Sequence, residues 1–116
     1  MSLQMNVGGG GRSGGLKWRR IANTVAKAGQ AQSFGADPKL QGLRMGNPAV
    51  DGASIWWSDV VDEHGDLVPA VVGQCHELLP GSWEYWSAAG PPIDGISVIA
   101  AGSVDIPFRL EKGTQT

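Results

Sequence analysis

The sequence predicts an α+β fold that is mostly β: a single small domain with about five mostly antiparallel strands, one N-terminal helix and a flexible Gly-rich N-terminal arm. Three observations predict it. Eighteen glycines and seven prolines among 116 residues favour many turns over long helices. One segment near the N-terminus has helical spacing. From residue 53 onward, apolar runs of strand length alternate with turn signals.

The arm is residues 1–15. Its run "VGGGGRSGG" maximises the chain entropy lost on ordering. It contains "GGGRSG", a formal G-x-G-x-x-G. A dinucleotide fingerprint also needs a preceding strand, a following helix and an acidic residue about 20 positions on; "LQMNV" is a poor strand and no second βαβ unit follows. Residues 1–4, "MSLQ", are set aside from functional argument, with Met5 read as the natural start.

The domain proper is residues 16–116. A helix is expected over 16–28, "LKWRRIANTVAKA", because Leu16, Ile21, Val25 and Ala28 fall near one face and Gly29 can cap the end. Residues 29–52 are rich in Gly, Pro, Asn and Asp and predict an irregular connection, with short extended pieces at "AQSF" and "LQGLRM".

Residues 53–111 are expected to be β-rich. "ASIWWSDVV" predicts a strand, and "DEHGD" a tight turn with Gly65 at positive φ. "LVPAVVGQCHELL" predicts a second strand, "PG" at 80–81 a type II turn, and "SWEYWSAA" a third strand. "ISVIAA" and "VDIPFRLE" complete the five. In the last, Val104, Ile106, Phe108 and Leu110 are expected to face inward, and Pro107 marks an edge.

Turn geometry fixes an expected register. A three-residue turn at Glu63, His64 and Gly65 pairs Asp62 with Asp66, which sets Trp56 opposite Val72 and Trp57 opposite Val71. A two-residue turn at Pro80 and Gly81 pairs Leu79 with Ser82, which sets Trp83 opposite Leu78 and Tyr85 opposite His76. Cross-strand neighbours share a face. One face then gathers Trp56, His76, Trp83 and Tyr85, and the opposite face is also largely apolar, so both need a cover.

Charge is unevenly placed. Residues 1–50 carry seven Lys and Arg against one carboxylate, and residues 51–116 carry two against ten. The expected outcome is that the basic half meets the acidic half of its own chain or of a neighbouring copy. Only Lys17, Arg19 and Arg20 cluster tightly, so nucleic acid is disfavoured as a partner.

A single cysteine excludes an internal disulfide framework. No run approaches the roughly 20 apolar residues of a membrane span, and no signal sequence opens the chain. A cytoplasmic or virion-associated location is expected.

No catalytic residue, metal ligand set or cofactor is assigned. Cys75 and His76 are adjacent in a strand and point apart, so they cannot form a dyad. His64 and His76 lack metal-ligand spacing. The candidate ligand-binding residues are Trp56, His76, Trp83 and Tyr85, whose flat rings and polar neighbours suit a saccharide or small aromatic molecule. The function expected first is a non-enzymatic structural or protein-interaction module that self-associates, analogous to a small phage virion or assembly protein. The alternatives are a small-ligand or carbohydrate-binding module and, behind it, a small enzyme with a His/carboxylate site.

Overall fold

β-Branched and aromatic residues, punctuated by glycine turns, make every regular element among the described residues a strand. The computed structural model describes residues 16–49, 52–86 and 90–115. The Gly-rich arm and its "GGGRSG" lie outside the described residues.

Ten strands follow in chain order: β1 (Leu16–Arg20), β2 (Val25–Ala26), β3 (Gln32–Phe34), β4 (Gly42–Gly46), β5 (Ile55–Ser58), β6 (His76–Leu78), β7 (Trp83–Trp86), β8 (Ile96–Ala100), β9 (Ile106–Pro107) and β10 (Arg109–Gln115). They form two four-stranded antiparallel sheets, β1-β10-β4-β7 and β3-β8-β5-β6, and a two-stranded ribbon, β2-β9. The fold is therefore all-β, and the expected α+β class with one helix and five strands is corrected.

The expected helix 16–28 is replaced by β1, a bend and β2. Leu16 to Arg20 pair residue by residue with Gln115 to Glu111. Five ladder positions to a distant strand outweigh a weak local periodicity. Asn23 breaks the segment at φ 60°, a conformation that Asn tolerates better than most residues. Gly29, at φ 70°, closes a tight turn between Lys27 and Gln30 instead of capping a helix. The two extended pieces expected in 29–52 exist, as β3 and β4.

The core lies between the sheets. Leu43, Met45 and Leu110 from the first sheet meet Ile55, Trp57, Val98 and Ala100 from the second. Alternation explains the assignment, because Leu43 and Met45 flank the outward-facing Arg44 in β4. Trp57 and Trp86 meet edge to face across the core at 4.8 Å. Phe34 and Phe108 do the same at 5.2 Å beside the ribbon.

The two expected turns form, but neither propagates its register. Asp62 N–H donates to Asp66 O, and Val68 N–H to Val60 O, as a three-residue turn at 63–65 requires. The hairpin ends there. Trp57 pairs instead with His76 and with Val98, while Trp56 pairs with Glu77 and Ile99. At the second turn Ser82 N–H donates to Leu79 O, with Gly81 at φ 81°. Yet β6 stays in the second sheet and β7 crosses to the first. Trp83 therefore pairs with Gly46 and Tyr85 with Arg44. Asn47, only 1% exposed, fastens this crossing. Its side-chain amide donates to Leu78 O at 3.2 Å. Its backbone N–H donates to Ser82 O, and its carbonyl accepts from Gly81.

The outer face of the second sheet is partly covered by the chain itself. The 59–75 excursion between β5 and β6 lies over it, with Ala70 N–H donating to Ser97 Oγ and Val60 N–H to Ser58 Oγ. The C-terminal alternation holds for Ile106, Phe108 and Leu110, whereas Val104 is exposed. Pro107 lies in the ribbon, while β10 is interior, between β1 and β4. None of the described helices could cross a membrane, since the described residues contain none.

Candidate functional site: the outer face of the first sheet

The register lays out this face row by row. Trp18 on β1 stands beside Gly113 on β10 and Gly42 on β4. The next row is Arg20, Glu111, Arg44 and Tyr85, one from each strand. The third is Arg109, Gly46 and Trp83.

The three glycines set the height of the floor. A Cβ added to Gly46 would lie 2.5–2.7 Å from three atoms of the Trp83 indole, including both carbons of its ring fusion. Such an approach is possible only onto the ring face, so the indole lies flat on the Gly46 backbone. The Tyr85 ring follows at 6.2 Å, tilted by only 22°. The far end of the Trp18 indole occupies the space above Gly42 and Gly113. Glycine inside a strand is unfavourable by itself and commonly marks such a close approach.

Between the aromatic ends stands Arg44. Its guanidinium carbon is 4.2 Å from the Trp18 ring centroid, a cation–π contact, and Nε donates to Glu111 Oε1. Arg20 and Arg109 flank this pair with exposed side chains. The rings keep their outer surfaces in solvent, with Tyr85 65% exposed and Trp83 38%. The first sheet holds six of the nine Lys and Arg of the chain, Lys17, Arg19, Arg20, Arg44, Arg109 and Lys112, against Glu84 and Glu111.

Of the four residues expected to share a ligand face, the structure brings two together. Trp83 and Tyr85 are neighbours on the outer face of the first sheet. Trp56 is half-buried on the outer face of the second, beside Glu77, whose carboxylate accepts from Ser54 Oγ at 2.6 Å. His76 is on the inner face of the second sheet, stacked on Trp57 at 4.5 Å. Trp57 itself is 5% exposed, and its Nε1–H finds no acceptor among the described residues. Trp18 and Arg44 were not expected at the site. The glycines at 42 and 46, spaced with the strand period around Leu43 and Met45, were the available signal for Arg44.

Other polar groups serve the frame. Asp105 accepts from the Ala28 backbone N–H at 2.9 Å and from Lys27 Nζ at 3.4 Å, and these hold its carboxyl below the usual range, the backbone bond most. Asp37 is lowered in the same way, first by the Lys39 N–H and then by Lys112 Nζ at 3.0 Å. The pairs Lys27–Asp105 and Arg44–Glu111 each join a cation of the basic half to a carboxylate of the acidic half. The Cys75 thiol donates to Val71 O at 3.3 Å. No three His, Cys, Asp or Glu side chains among the described residues group as metal ligands would.

Comparison of the chain with family models, with curated proteins and with solved structures found no match.

Proposed function

We propose that this protein is a non-enzymatic structural or interaction module that self-associates, with the outer face of the first sheet as its contact surface. The supporting observation is the Trp83–Tyr85 pair laid flat on the sheet beside Arg44 and left in solvent. Trp, Tyr and Arg are the residues that dominate binding energy at protein interfaces. Here the Trp83 indole is seated on Gly46 before any partner arrives, which lowers the entropy lost on association. The free, half-buried cysteine agrees with a cytoplasmic or virion-associated setting. Sedimentation equilibrium across a range of concentrations tests the reading. Masses above one chain are expected, moving toward one chain in Tyr85→Ala. A mass of one chain throughout sinks it.

A second reading rests on the same rings. Two nearly parallel aromatic rings beside a guanidinium also suit a saccharide or a small planar molecule. Titration with an oligosaccharide panel should then change tryptophan emission, and Trp83→Ala should reduce the response. An unchanged spectrum across the panel removes this alternative.

A further inference from the structure

The charge of this molecule is segregated onto opposite sides of the sandwich. The outer face of the first sheet presents Arg20, Arg44 and Arg109 around the single carboxylate of Glu111. The 59–75 excursion lies on the outer face of the second sheet, which is the far side of the core. It carries Asp59, Asp62, Glu63 and Asp66, and the whole span 45–108 contains no Lys or Arg. The excursion therefore has no Lys or Arg of its own, and its one imidazole, His64, stands 3.6 Å from Glu63 Oε1. It also exposes Val60, Val61, Val68, Val71 and Val72. Single exposed apolar residues are ordinary, but Val60, Val68 and Val71 line one hollow of the excursion and form a candidate contact surface.

We infer that the acidic, valine-rich excursion of one copy docks on the aromatic, basic sheet face of the next, a head-to-tail contact between copies of this chain. The inference rests on the self-association proposed above and names its geometry. Three features support this occupant over others. The signs of charge are complementary, which steers association and rejects wrong partners. Both surfaces offer apolar area, valines on one side and the Trp83 and Tyr85 rings on the other. The alternative of two sheet faces meeting about a twofold axis would press a face with three arginines and one carboxylate against an identical face of the same sign. Because the two surfaces lie on opposite sides of one molecule, the contact is heterologous and propagates into a ring or an open chain.

Two variants of the full chain test this: Glu63→Lys/Asp66→Lys in the excursion, and Arg20→Glu/Arg109→Glu on the sheet. All four side chains are exposed, so folding, checked by circular dichroism, should be unaffected. In sedimentation velocity at low salt, each variant alone should associate at least about tenfold more weakly than the wild type. An equimolar mixture should regain wild-type assembly, because each variant then meets its complement. If the excursion variant assembles like the wild type while the sheet variant does not, the head-to-tail contact is overturned and the sheet face remains an interface. If the wild type never exceeds one chain, both the contact and the proposed function fail. A single-stranded oligo-dT included in the same runs distinguishes a different occupant: co-sedimentation lost in the Arg20→Glu/Arg109→Glu variant would assign the face to nucleic acid and overturn the inference.

Discussion

Trp83 lies face-down on the backbone of Gly46, its cross-strand partner. A substitution at Gly46 must therefore act through the ring. Gly46→Val should cost about 1–3 kcal/mol, the range for forcing extra carbons into a packed site. In a Trp83→Ala background the same change should cost much less. The double-mutant cycle, by urea denaturation, reads the coupling between the two residues directly. Equal costs in both backgrounds would mean that the indole does not rest on Gly46.

Asn47 joins the corner where the chain passes from one sheet to the other. Asn47→Ala removes the donor to Leu78 O and leaves a buried carbonyl without its partner. A loss of about 2–4 kcal/mol is expected, from an unsatisfied polar group together with a small cavity. The midpoint of chemical denaturation checks it, and a shift under about 0.5 kcal/mol, the range of ordinary surface changes, would contradict the role assigned here.

Asp37 and Asp105 both titrate below the usual carboxylate range in the folded protein. A depressed folded pKa gives stability that is fully present above the unfolded value and lost as pH falls through the folded one. The melting temperature should therefore fall on acidification below the ordinary carboxylate pKa. Asp105→Asn should flatten that fall. Asp105 is solvent-exposed and Asp37 half-buried, and each pairs with a lysine near the surface, so the effect of either alone should be small. An identical pH dependence in wild type and Asp105→Asn would remove Asp105 from the account.

Tyr85 is the most exposed ring on the sheet face and packs little against the core. Tyr85→Ala should leave stability within about 0.5 kcal/mol, as for other surface positions, while weakening association. Added salt should weaken association further by screening the charges of Arg20 and Arg109. Association insensitive to both salt and Tyr85 would place the interface elsewhere.

Much of this fold could be read locally. The strands around Ile55, Trp83 and Ile96, the extended pieces that became β3 and β4, and both turns are set by short-range chemistry: β-branched runs, Gly65 and Gly81 at positive φ, and Pro80 before Gly81. Two things misled. The spacing of Leu16, Ile21, Val25 and Ala28 imitates a helix, and only the distant partner β10 makes Leu16–Arg20 a strand. The turn registers were right at their tips, but a turn fixes only its nearest residue pairs. After Val68 in the first hairpin, and on the β6 side of Leu79 in the second, the predicted pairing ends, and Trp56 and His76 part from Trp83 and Tyr85.

The sequence alone determined the β-rich character, the turn positions, the inward set of Ile106, Phe108 and Leu110, and the uneven division of charge. These depend on residue type and on a period of two along one strand. Tertiary structure decided which strands are neighbours, and with that which rings share a face. That Trp18, Arg44, Trp83 and Tyr85 come together on one sheet follows from β10 joining β1 to β4, and β4 joining β7. Those pairings join residues far apart in the chain, and their gain appears only when the whole sheet closes over its core.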